Sequence, residues 1–220
     1  MSVQWIVIWD GLAACELPEA SDTIEAGRHV GIACARNLGI SHIQAPFVAI
    51  LDADDLVVPS GCQTAAQALQ SDASIGWVGL NRTFIDETPT RHWRDDPQTF
   101  RAGELATSWT APFVFHPNSV MMRTSLLCQI GGWPAIPTNE DLGMVLVASE
   151  HMGGTFLPDV ITRYRVWEKQ EVSQHTYELA KMLSFSYIEV VVNAVRESLG
   201  RAPIRAPEHP GGAFGVMGRS

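Results

Sequence analysis

FVAILDADDLVVPSG, residues 47–61, joins an apolar run to three carboxylates, Asp52, Asp54 and Asp55, within four positions. Phe47 to Leu51 has the length and apolar density of a buried strand. Pro59 stands where a helix can begin, and the alanine-rich stretch from Gly61 to Gln70 continues it. Strand, acidic loop and helix make one βα unit. Acids at the end of such a strand repel one another unless a cation joins them. Oxygen-only ligands suit Mg²⁺ or Mn²⁺, usually held by one or two carboxylates and the phosphates of a substrate. A solvated turn before Pro59 accounts for the same string without a ligand, and the residues alone leave both readings open.

Outward from this unit the pattern repeats. Gln4 to Trp9 reads as a buried strand opening at Asp10-Gly11, with a further short strand near Thr23 to Ala26. Ile32 to Ile43 suits a helix interrupted at Gly39, and Ile75 to Asn81 a third buried strand. Asp86 to Pro97 is polar and proline-bearing, a surface loop. Asn118 to Arg123 suits a strand, Ser125 to Ile130 a helix ending at Gly131-Gly132, and Glu140 to Met152 another helix. Glu171 to Leu199 is a long amphipathic segment. Its stripe of Val172, Leu179, Leu183, Val190, Val191 and Val195 is expected to pack on the sheet. The tail from Arg201 to Ser220 is expected to be mobile. Alternating strands and helices indicate an α/β sheet, whose ligands bind at the carboxyl ends of strands. Asp10 and the Asp52 cluster both sit at such ends.

The chain has 220 residues, 46% hydrophobic and 18% charged, a composition of globular domains. Fifteen Lys and Arg against 24 Asp and Glu give a net charge of −9, which argues against nucleic acid or an anionic membrane as partner. The four cysteines show no paired spacing, so a reducing, cytoplasmic setting fits. No run approaches a transmembrane span; a peripheral membrane contact is compatible with the sequence. Glu140 and Asp141 lie in the first turn of a helix, where the dipole alone favours acids. His116 reads as a structural histidine rather than a metal ligand.

GIACARNLGI (31–40), PFVAILDADDLVVPSG (46–61), IGGW (130–133) and NEDLGM (139–144), in this order and spacing, resemble the inverting GT-A glycosyltransferases of family two. The resemblance covers roughly residues 4–168. It implies a GT-A-like mixed α/β sheet flanked by helices: a nucleotide-sugar-binding half over 1–105, a catalytic-base half over 106–170, and a C-terminal helix over 171–200. It also implies a nucleotide-sugar donor, UDP-linked as the commonest base, a hydroxyl acceptor and a divalent metal. Asp10 matches the segment that contacts the nucleobase and Arg36 an arginine beside the nucleotide. Asp52 and Asp54 match the DxD metal motif, with Asp54 the better ligand, and Asp55 contributes to metal or sugar. Asp141, in Glu140-Asp141, matches the catalytic base. Trp167 replaces a common histidine and would stack on sugar or acceptor, or pack in the core.

That family normally places a strand and helix before the equivalent of QWIVIW. Their absence would leave an N-terminally truncated sheet with an exposed apolar edge, where a homodimer could form. Three explanations follow: a start further upstream, another element in the gap, or a catalytically silent nucleotide-sugar binder or assembly partner. Haloacid-dehalogenase-type phosphatases share a DxDx string followed by Thr or Val on their first strand. Leu56 stands at that position and strands precede Phe47, which puts this reading third.

Overall fold

In a computed structural model, which describes residues 2–11, 22–85, 94–109, 113–166 and 177–207, the chain folds around a six-stranded mixed sheet. Its strands are β3 (Phe47–Ala49), β4 (Leu56–Val57), β5 (Ile75–Phe84), β6 (Gln98–Phe100), β7 (Val120–Arg123) and β8 (Gly153–Tyr164). The order is β3-β7-β5-β8-β4, with β6 also on β8. β5 and β8 run parallel, and the other pairs are antiparallel. β1 (Ile6–Trp9) and β2 (Asp22–Glu25) pair in parallel as a separate two-stranded sheet, and β3 is an edge of the larger one. All four β1 residues are only half-buried, and Ala49 of β3 is exposed.

Helices cover both faces. On one lie α4 (Thr124–Ile130), α5 (Glu140–His151) and α6 (Tyr177–Ser198), packed on Trp77, Phe115 and Phe156. On the other, α2 (Pro59–Ser71) lays Ala65, Ala66 and Leu69 on Val78, Leu80 and Ile161. Trp77 serves one core and Val78 and Leu80 the other, the period-two alternation of a strand buried on both sides. Two shorter helices complete the chain, α1 (Ile32–Ile40) and α3 (Glu104–Thr107).

β8, the strand paired with β4, β5 and β6, is not legible in the sequence. Gly153-Gly154 and Pro158 read as breakers. The glycines admit close neighbours: a Cβ on Gly154 would run into the Trp77 ring, and one on Gly153 would meet the Phe100 carbonyl oxygen at 2.6 Å. Pro158 falls where the β5–β8 register shifts, between the Leu80–Leu157 and Asn81–Val160 pairs, and Asn81 donates from Nδ2 to the Pro158 carbonyl at 2.8 Å. The bulge therefore accommodates the proline.

Gly61, at the end of the opening stretch, seats α2 on β8. A Cβ there would strike the Val160 carbonyl oxygen and lie 2.9 Å from Ile161 Cα, both backbone. Helix propensity favours Gly61→Ala by about 1 kcal/mol, while the clash costs about 2–3 kcal/mol. We expect net destabilisation in urea denaturation; a stabilised variant would show that α2 does not sit this close.

Half of the stripe expected to bury on α6 faces outward, while Val191 and Val195 are half-buried. Leu179, Leu183 and Val190 are 65%, 59% and 68% exposed, and Val172 lies outside the described residues. Phe185, Ile188 and Val192 fill the core instead, together with Lys181, Ser184 and Arg196. Polar residues can take that face because partners wait for them: Arg196 pairs with Glu150 at 2.5 Å, and the Ser184 hydroxyl accepts from Thr138 N–H at 3.3 Å. The first part of the tail is also anchored. Arg201 bonds to Glu150, Ile204 is buried, and Ala206 N–H donates to Glu189 at 2.8 Å. Residues 201–207 thus depart from the mobility expected of the tail; 208–220 lie outside the described residues.

Candidate active site

The ARN of residues 35–37 ties together motifs that lie far apart in the chain. Arg36 extends from α1 with one nitrogen on Asp52 Oδ1 at 2.7 Å and the other on Glu140 Oε1 at 2.5 Å. Asn37, its neighbour, donates to the Trp133 carbonyl at 2.8 Å and accepts from Trp133 N–H at 2.9 Å. Two successive side chains therefore clamp the acidic loop, the GGW loop and the start of α5. Gly132, at φ 83°, is left-handed and lies so close to Asn37 that a Cβ would collide with its Oδ1. Asn139, at φ 59°, is the lone described non-glycine residue at positive φ and caps α5 just ahead of Glu140. Strained backbone of this kind collects at functional sites.

These contacts enclose a cleft lined by Arg36, Asp52, Arg82, His116, Asn118, Glu140, Asp141 and Tyr164, among others. It opens at the carboxyl ends of the parallel pair β5 and β8. The Asp141 carboxyl accepts its own helix's Leu142 N–H at 2.7 Å. Burial, then the neighbouring Glu140 and Asp52, push it up to about 7, against the pull of Arg36 and that N–H. A carboxylate poised near neutrality is suited to taking a proton.

The three acids of the opening stretch separate. Asp52 reaches the cleft, with Oδ1 on Arg36 and Oδ2 on Asn118 Nδ2 at 2.6 Å. Asp55 turns inward and accepts Arg165 N–H at 2.9 Å, while its Oδ2 has no hydrogen-bond partner among the described residues. Burial first, then Asp52 and Asp54, raise its carboxyl to about 6. Asp54 lies on the intervening turn, half-buried, and its carbonyl accepts from Arg165 Nε at 2.8 Å. Their repulsion is thus met largely by Arg36, by Asn118 and by turning Asp55 into the fold. Among the described residues no three His, Cys, Asp or Glu side chains group as a metal site. The donor set still fits a Mg²⁺- or Mn²⁺-like ion held by one or two carboxylates together with substrate phosphates.

Asp10 does not line this cleft. It accepts the N–H groups of Val30 and Gly31 at 2.6 and 3.1 Å and pairs with His29 at 2.9 Å, fixing the turn into α1. Trp167 lies outside the described residues. The cleft also holds residues that the sequence did not single out as functional. Arg82 is 8% exposed and lies 4.3 Å from the Tyr164 ring centre. A charge inside the buried run IGWVGLNRTF was the available signal. His116, read as structural, lines the same wall. Burial and then Arg82 hold its ring well below the usual range, hence neutral, and its Nδ1 accepts Asn118 N–H at 3.3 Å, which leaves the proton on Nε2.

Residues 22–128 match the family model described as glycosyl transferase family 2. The fold agrees. Staphylococcus aureus TarS (residues 1–349) superposes with a TM-score of 0.59 at 12% identity, covering 87% of this chain and 55% of that one. Residues 22–128 thus resemble glycosyl transferase family 2, and the chain has the fold of these glycosyltransferases. The UDP-GlcNAc complex of TarS gives this chain a TM-score of 0.57 at 14% identity, covering 89% of it and 64% of that chain. A Pyrobaculum calidifontis mannosyltransferase with GDP-Man and Mn²⁺ gives 0.55 at 17%, covering 85% and 49%. This chain thus spans roughly half to two-thirds of the length of these structures. None of the curated protein sequences matches it. No described helix is long and apolar enough to cross a membrane.

Proposed function

We propose that this chain is a family 2 glycosyltransferase that transfers a sugar, with inversion, from a nucleotide-sugar donor to an acceptor hydroxyl. The observation that carries the reading is the convergence of Arg36, Asp52, Glu140 and Asp141 on one cleft, with Asp141 near neutrality. In this reading the acceptor hydroxyl attacks the anomeric carbon from the face opposite the leaving group. The new C–O bond forms as the bond to the nucleoside diphosphate breaks, and Asp141 takes the hydroxyl proton. Glu140 positions that base: it is held by Arg36 and, as a neighbouring negative charge, raises Asp141's proton affinity. Residues 1–105 supply the donor side and 106–170 the base side of a single domain.

Asp54, with Asp52 beside it and the donor's phosphates, would hold a divalent ion, Mg²⁺ or Mn²⁺, which supplies charge neutralisation for the departing diphosphate. Both Asp52 oxygens are already engaged by Arg36 and Asn118, which leaves Asp54 as the principal protein ligand in this proposal. Asp55 and Asp10 act from behind, on the acidic loop and on the turn into α1. The donor proposed is UDP-linked. The test is calorimetric titration of the chain with UDP and with GDP, with and without Mn²⁺. UDP is expected to bind at least tenfold more tightly with Mn²⁺. Equal UDP affinity in both conditions would remove the metal from the reading, and tighter GDP binding would reassign the base.

A further inference from the structure

α6 carries two opposed sets of apolar residues. Phe185, Ile188 and Val192 face the core. On the opposite side Leu179, Met182, Leu183, Tyr187 and Val190 form a stripe, each 47–68% exposed. Single exposed leucines are ordinary. Five large side chains in line along about 16 Å of helix are not, and such patches mark interaction surfaces. The stripe runs on into an apolar hollow between Trp133, Pro134, Met144, Tyr187 and Val191.

We propose that this face is where two copies of the chain associate, their α6 helices antiparallel about a two-fold axis between Leu183 and Ser186. Three observations select a second copy as the occupant. First, the stripe matches itself when reversed: Leu179 falls opposite the second copy's Val190, Met182 opposite Tyr187, and Leu183 opposite the small Ser186. That is the property an isologous interface needs. Second, the charges are complementary. Glu178, with its side chain 65% exposed, stands at the start of α6. Arg205, 92% exposed, is held on the same flank beside Glu189, further along the helix. Antiparallel packing sets each copy's Arg205 beside the other's Glu178. Third, the exposed face of α6 carries no lysine or arginine of its own, Arg205 stands on its flank alongside Glu178 and Glu189, and the chain has net charge −9. A helix lying on an anionic bilayer needs basic residues there.

Light scattering over a concentration series of the full chain tests this. The expected mass rises to twice the 24.1 kDa of one chain. Leu183→Asp, at an exposed position, should weaken association at least tenfold while the far-ultraviolet circular dichroism stays unchanged. Arg205→Glu should also weaken it, and adding Glu178→Arg should restore it. A wild-type chain that stays monomeric overturns the proposal, as does a monomer that sediments with phosphatidylcholine vesicles. Association indifferent to Arg205→Glu overturns the antiparallel arrangement.

Discussion

Asp141→Asn should lose transfer by 10²–10⁴-fold, the usual contribution of a positioned base, and gain stability at the same time. The two effects share a cause. In the folded protein burial and Glu140 raise the Asp141 carboxyl from 3.8 to about 7. Between those values the folded state binds more protons than the unfolded chain, so stability falls as pH rises across that window. Above pH 7 the ionised carboxylate is a full liability. The displacement, which already includes the pull of Arg36, corresponds to at most about 4 kcal/mol; partial contact with solvent reduces the expectation to about 1–3 kcal/mol. Asparagine keeps an oxygen for Leu142 N–H and carries no charge. Its melting temperature should exceed that of the wild type by a few degrees at pH 8, with the gap narrowing toward pH 5. Wild-type turnover should climb through pH 7 as the base ionises. A variant with unchanged turnover would remove Asp141 from its role. A variant destabilised at pH 8 would show that the carboxylate is structurally required.

The other large effect is on stability. Glu150 is fully buried near the end of α5, with Oε1 on Arg196 and Oε2 on Arg201, both at 2.5 Å. Arg196 also donates to the carbonyls of Gly103 and Ala202, at 3.1 and 2.6 Å. One carboxylate therefore joins α5, α6, the turn before α3 and the returning tail. Glu150→Leu leaves Arg196 in the interior without a counter-charge, a loss of about 3–5 kcal/mol. For a chain of this size that lowers the melting temperature by on the order of 10 °C. Glu150→Gln, which keeps an acceptor, should cost clearly less. If the two variants melt together, charge is not what holds this junction.

The sequence showed the units whose signals are local. The βα unit at 47–71 is legible because an apolar run, acids and Pro59 follow in order. α5 is legible from its acidic first turn and from Gly131-Gly132 before it. β8 is not, because its glycines and proline look like breakers until Trp77, Phe100 and the bulge opposite Asn81 are in place. The outward turn of the α6 stripe is hidden for a similar reason: Lys181, Ser184 and Arg196 read as solvent-facing until Glu150 and Thr138 are found waiting. Within the cleft, Arg36, Asp52, Glu140 and Asp141 were picked out and do meet. Asp10 and Asp55 were picked out and stand outside its lining, each accepting backbone N–H groups. Arg82, Asn118 and Tyr164 were passed over, since their proximity arises only when β5, β7 and β8 align.

The bidentate grip of Asn37 on the Trp133 backbone restricts how this sequence can drift. Any side chain at 132 collides with the amide at 37, and any shorter side chain at 37 leaves two backbone groups of Trp133 unanswered. Neither position can change first without loss, so the pair must travel as one inherited unit. A sequence that has replaced Gly132 should be found to have replaced Asn37 too, and a double-mutant cycle between them should show strong non-additivity.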